Sequence, residues 1–215
     1  ARAQECGVSI IINIGLDLES SKAFQTLKQL EFDEHIYLTD ILDRPTLSRR
    51  GIPMGLQWFE ERKGEALKRL TELKFNLVWA QGSFLDDYLD IDNWRLDFTP
   101  AQEAILEEFI ELYQENFIDV WIAIGPCGKN PPLQHSSDAD INTLVDKMDV
   151  LYDLGLRRFG LRFDDLQNVG EDRLLTAEDI NFFDDDIGAA QVYFISEVFG
   201  RLKAIHPDIE SMVIP

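Results

Sequence analysis

Basic residues, cysteine and long apolar runs are all scarce in this chain, and each scarcity removes a class of function. Twenty Lys and Arg stand against forty Asp and Glu, a formal charge of −20, which repels phosphate backbones and anionic headgroups at ordinary ionic strength. Neither nucleic acid nor a membrane surface is therefore expected as a partner, while neutral ligands stay open. Cys6 and Cys127 are too few and too far apart for a disulfide framework or a zinc site. No apolar run approaches the roughly 20 residues that cross a bilayer. The N-terminus lacks a basic segment leading into an apolar signal core, so a soluble protein is expected and its compartment stays open. His35, His135 and His206 are scattered without a nucleophile or metal partner, and glycine-rich phosphate loops are absent. Triad, zinc and nucleotide chemistry thus find no support, and no cofactor is expected.

What is present suits one sizeable core: 215 residues, 45% of them apolar, with strands and helices in alternation. Residues 7–14 read as a strand, 20–30 as a helix with Ala23, Phe24, Leu27 and Leu30 in one stripe, and 35–41 as a returning strand. Residues 1–45 thus make part of a small α/β domain, closed by the break at Asp43-Arg-Pro45. From residue 46 to 215 five strands are expected, at 51–55, 76–81, 119–125, 158–164 and 211–214. Pro53 makes the first the weakest. Helical stripes lie between them: Leu67, Leu70, Leu73; Ile105, Phe109, Leu112, Tyr113; Ile141, Leu144, Val145, Met148, Leu151; and Val192, Ile195, Phe199, Leu202. Thr99-Pro-Ala-Gln102 reads as a capping box with proline at the first helical position, and Gly155 as a helix exit.

Alternating strands and crossover helices predict a parallel sheet, either the first five steps of a (β/α)8 barrel or an open doubly wound sheet. In both, functional residues gather at the carboxyl ends of the strands, where Gly55, Gln81, Gly125-Pro126 and Asp164-Asp165 fall. The acid pair is the most informative of these. Phe159, Leu161 and Phe163 share one strand parity and Gly160, Arg162 and Asp164 the other, so Asp165 leaves on the face opposite Asp164 unless the strand end loosens. Asp-Asp alone is weak in so acidic a chain, since Asp86-Asp87 and 184–186 repeat it; position singles out this pair.

At these residues the chain resembles glycoside hydrolase family 84, the β-N-acetylglucosaminidases that include the O-GlcNAcases. The resemblance runs through Arg50-Gly-Ile-Pro-Met-Gly55, residues 76–80 with Asn93-Trp94-Arg95, Ile124-Gly-Pro126 and Phe163-Asp-Asp-Leu-Gln167, with 24–30 similar to a helix of the preceding small domain. It implies a TIM (β/α)8 barrel, here incomplete at about five steps, and a retaining hydrolase in which the substrate's own 2-acetamido group attacks the anomeric carbon. Asp164 would polarise that group as a carboxylate, and Asp165 would be the general acid/base, a division that needs opposite protonation states in neighbours. Arg162 is expected to hold Asp164 ionised. Gly55, Trp58 and Gln81 are the substrate-binding candidates, and an N-acetylglucosamine-bearing glycan or glycoprotein the partner.

The chain departs from the family pattern at two places. Gly55-Leu-Gln-Trp-Phe59 keeps the glycine but not the tyrosine and proline of the family's Gly-Phe-Tyr-Gly-x-Pro-Trp run, and residues 80–87 lack the lysine of Ala-Pro-Lys-Asp-Asp. These losses motivate the alternative, a non-catalytic carbohydrate-binding or scaffold domain. Five steps also leave sheet edges and interior open, so the chain alone is expected to be poorly stable or self-associating.

Trp79 and Trp121 lie inside strand patterns and read as core, whereas Trp58 and Trp94 are placed in loops as candidates for sugar contact. Asp138-Ala-Asp-Ile-Asn142 has calcium-loop spacing at its start, but Thr143 replaces the required glycine, so helix-start acids are expected. The acidic stretch 171–186 reads as a long loop after the acid-bearing strand.

Overall fold

Five short apolar strands hydrogen-bond in the order they occur in the sequence, all parallel. The structure is a computed structural model that describes residues 49–80, 93–127, 131–163 and 174–214. The expected small domain at 1–45 lies outside them. The elements are β1 (Gly51–Met54), α1 (Leu56–Glu72), β2 (Leu77–Ala80), α2 (Pro100–Glu115), β3 (Asp119–Ile124), α3 (Asp138–Asp153), β4 (Arg158–Arg162), α4 (Ala177–Phe183), α5 (Ile187–Ile205) and β5 (Glu210–Ile214).

The strand order decides between the two architectures left open by periodicity. A doubly wound sheet reverses direction at a switch point; here β1-β2-β3-β4-β5 runs one way. Right-handed crossovers in one direction place every helix on the same face, which is how a (β/α) barrel is wound. The described strands form an open arc of it. Pro53 is accommodated because, among the described residues, β1 pairs with β2 alone and needs no ladder donor on its other side.

Strand parity sorts the side chains into two layers. Met54, Val78, Ala80, Val120, Ile122, Ile124, Phe159 and Leu161 join the helices in the hydrophobic core. The register places Pro53, Trp79, Trp121, Ala123, Gly160, Arg162 and Met212 on the opposite, inner face. Gly160 is required there: a Cβ would lie 2.8 Å from that of Ala123.

Helix boundaries follow local chemistry. Thr99 caps α2 through Gln102 N at 3.3 Å while Gln102 Oε1 accepts from Thr99 N at 2.8 Å, completing the expected box. Gly155, at φ +98°, supplies the left-handed exit after α3. The α3 stripe is buried as expected, at Ile141, Leu144, Val145, Met148 and Leu151. The α5 stripe is rotated: Phe194 and Val198 are buried with Phe199 and Leu202, whereas Val192 is exposed. Leu73 is also exposed, since it caps α1 and lies beyond its buried face. The stretch expected as one long loop contains α4, capped by Thr176, whose Oγ1 accepts from Asp179 N at 3.1 Å.

Candidate active site

The carboxyl ends of β1 to β4 meet on one side of the sheet, and the segments leaving them are tied to one another by buried polar contacts. After β1, Gly55 is the extended N-cap of α1. Trp58 follows in the first turn of that helix, not in a loop. After β3, Gly125, Pro126 and Cys127 are all buried. Cys127 Sγ donates to the carbonyl of Arg162 at 3.4 Å, stitching the exit of β3 to the end of β4. Phe163 is buried and meets Phe194 of α5 edge-on, with centroids 6.4 Å apart. Asp164, Asp165 and Gln81, the remaining site candidates, lie outside the described residues.

Arg162 is 7% exposed and on the inner face, two residues before Asp164 in the sequence. A guanidinium keeps its charge when buried, so Arg162 sets a fixed cation on this end of the inner face. At the opposite, amino end the inner face closes with ion pairs: Arg158 reaches Asp119 at 3.1 Å and Glu210 at 3.2 Å, and Arg49 reaches Glu210 at 2.9 Å while lying over the Trp121 ring. Trp79 and Trp121 pair directly across β2 and β3, and both indole N–H groups are buried without a hydrogen bond among the described residues.

Two clamps lace the successive loops. Arg95, after β2, makes a bidentate pair with Asp140 of α3 at 2.8 and 2.7 Å and donates to the carbonyls of Pro131 and Pro132 at 2.9 and 3.0 Å. Its guanidinium also lies 4.1 Å from the centre of the Trp94 ring. Trp94 is fully buried, which removes it from the sugar-contact candidates. Asp140 opens α3, as expected of a helix-start acid, and in addition holds this neighbouring loop. Lys147 braces the same loop from α3, donating to the carbonyl of Leu96 at 2.5 Å with its ammonium 4.0 Å from the Phe98 ring centre. Burial pushes the Lys147 pKa down to about 8, against the opposing pull of Asp97.

The second clamp joins the loop after β3 to α4. Asp179 and His135 are both 0% exposed. One carboxylate oxygen accepts from His135 N at 2.8 Å and lies 3.2 Å from His135 Nδ1; the other accepts from Ser136 N at 2.8 Å and Ser136 Oγ at 2.7 Å. Burial alone would raise the Asp179 pKa, but these bonds outweigh it and hold the carboxyl down at about 2. The sequence reading left His135 without a partner. The available signal, Thr176-x-x-Asp179, reads as a capping box; Thr176 does cap α4, but the carboxylate reaches across to another loop. Among the described residues no three or more His, Cys, Asp or Glu gather to hold a metal ion, and no helix is long and apolar enough to cross a membrane.

A family model described as beta-N-acetylglucosaminidase matches residues 54–215. Protein O-GlcNAcase of Rattus norvegicus and that of Mus musculus are each 27% identical over 148 residues, covering 69% of this chain and 15% of theirs. The chain thus spans a small part of the relatives it matches. Among solved structures, a mutant O-GlcNAc hydrolase of Thermobaculum terrenum superposes with a TM-score of 0.67 at 22% identity, covering 79% of this chain and 35% of that one. That likeness bears on the fold, and agrees with the winding of the sheet.

Proposed function

Because this chain belongs to the beta-N-acetylglucosaminidase family, we propose that it carries the acid-bearing part of a glycoside hydrolase site that releases terminal N-acetylglucosamine with retention of configuration. The observation that carries the reading is the setting of β4. It is the fourth strand of a one-way parallel barrel arc, ends at the carboxyl side between laced loops, and brings buried Arg162 and Phe163 directly up to Asp164-Asp165. The substrate is a glycan or glycoprotein bearing N-acetylglucosamine, in keeping with the O-GlcNAc named for the relatives.

In the first step the acetamido oxygen of the substrate attacks the anomeric carbon, the glycosidic C–O bond breaks, and Asp165 gives its proton to the departing oxygen. The resulting oxazolinium is positively charged, and Asp164 as a carboxylate accepts its N–H and offsets that charge. Water then adds to the same carbon, giving its proton to Asp165 and reopening the ring to the acetamide. Arg162, two residues before Asp164 in the sequence, favours the ionised form of that residue. Gly55, Trp58 and Gln81 contribute to the sugar pocket.

The test is a substrate series on the enzyme in its full length. Adding fluorine to the acetyl group weakens the internal nucleophile, so the rate on aryl N-acetylglucosaminides should fall with each fluorine. A rate indifferent to fluorination overturns substrate assistance. The second reading, a carbohydrate-binding or scaffold domain without catalysis, is favoured by the absence of lysine in residues 80–87. It predicts sugar binding with no turnover of any member of the series.

A further inference from the structure

We propose that the rim beside β4 carries a docking platform for a basic segment of a polypeptide, formed by Phe182, Phe183 and Tyr193 with Glu178 and Asp185 as its charged border. The platform goes beyond the hydrolase reading and does not rest on it. Phe182 and Phe183 end α4, and both rings contact Tyr193 of α5, with the three centroid separations at 4.7, 5.6 and 5.4 Å. Phe182 nonetheless remains 61% exposed. The cluster is held in place from both sides. Asp179 of the same helix is locked to His135 and Ser136, and Asp186 caps α5 by accepting from Ala189 N at 3.0 Å. Between the helices Asp184 and Asp185 both adopt left-handed backbone, at φ 52° and 61°, a conformation that Asp tolerates better than most residues. That tight reversal brings α5 back beside α4, so Tyr193 reaches the two phenylalanines.

Charge selects the occupant. Glu178 lies one helical turn before Phe182 on the same face, and Asp184 and Asp185 follow the helix directly. All three are exposed, and none forms an ion pair or hydrogen bond through its side chain among the described residues. The exposed Phe182 ring, backed by half-buried Phe183 and Tyr193 and edged by uncompensated carboxylates, suits an Arg or Lys, whose charge lies over a ring while its stem covers apolar surface. A neutral sugar would cover the rings and leave the carboxylates unbalanced.

The experiment is fluorescence anisotropy of a labelled Arg- and Leu-containing peptide with the full chain, beside neutral and Glu-substituted versions and a labelled chito-oligosaccharide. The basic peptide should bind, and Phe182→Ser and the paired Glu178→Gln, Asp185→Asn variant should each weaken it about tenfold, with binding also falling as salt is raised. Phe117→Ser is the control, since that ring is 93% exposed at the amino end of β3, away from the rim. Equal binding by all variants would mean attraction to the general −20 charge and would overturn the proposal. So would absence of binding, preference for the oligosaccharide, or a concentration-dependent dimer in sedimentation that Phe182→Ser abolishes.

Discussion

Asp179 and His135 stand 44 positions apart in the chain and meet with no solvent exposure on either side, the carboxylate filling its acceptor sites from His135 and Ser136. The contact fixes α4 to the loop leaving β3, and with it the far end of the segment that begins at Asp164. Truncation leaves buried N–H groups without an acceptor. Asp179→Ala should therefore cost about 3–5 kcal/mol, read as a lowered midpoint in urea unfolding; a loss below about 1 kcal/mol would show that the clamp holds nothing.

The same carboxyl gives a pH signature. Its folded pKa, about 2, is below its ordinary value of 3.8, so its stabilisation is present in full above the ordinary carboxylate range and is lost as pH falls toward 2. The shift corresponds to roughly 2 kcal/mol. Between pH 5 and pH 2 the parent chain should lose more stability than Asp179→Asn by about that amount. Parallel pH curves for the two proteins would contradict the assignment.

Lys147 acts with the opposite sign. Its pKa, lowered from 10.5 to about 8, means that the folded state disfavours the charged ammonium at neutral pH, and the penalty lifts as pH rises from about 8 toward 10.5. Lys147→Met should raise the unfolding midpoint at pH 7, by about 1–2 kcal/mol after loss of the Leu96 hydrogen bond. The advantage should shrink at pH 10, and an advantage that grew with pH would refute this reading.

Two glycines separate crowding from helix propensity. At Gly160 a methyl group would stand 2.8 Å from the Ala123 Cβ on the inner face, so Gly160→Ala should destabilise by about 1–3 kcal/mol. Gly200 lies in α5 with nothing within 4 Å of a added methyl, and Gly200→Ala should stabilise by up to about 1 kcal/mol. Thermal melts of the two variants should move in opposite directions.

The sequence revealed whatever is local. Thr99 and Gln102 cap α2 as their spacing implies, Gly155 supplies a positive φ, and the α3 stripe is buried at each expected position. Strand order needed the structure, because alternation is common to both barrel and doubly wound sheets. The α5 face was misjudged because that helix carries apolar residues around much of its circumference, and packing against the barrel selects Phe194 and Val198 over Val192. His135 with Asp179 and Arg95 with Asp140 could not be read at all: nothing in a residue's neighbours announces a partner 44 or 45 positions away. Of the site candidates, Gly55 is placed at the carboxyl end of β1, as its position implied, and Trp94 is withdrawn by burial.

The most direct measurement of the acid/base assignment is the product that Asp165→Ala forms in azide. With the proton donor and water-activating base removed, hydrolysis of an aryl N-acetylglucosaminide should collapse. Azide, which needs no base, should restore turnover and yield the β-configured N-acetylglucosaminyl azide, identified by NMR. A variant as active as the parent, or one whose rate azide leaves unchanged, would contradict the role given to Asp165.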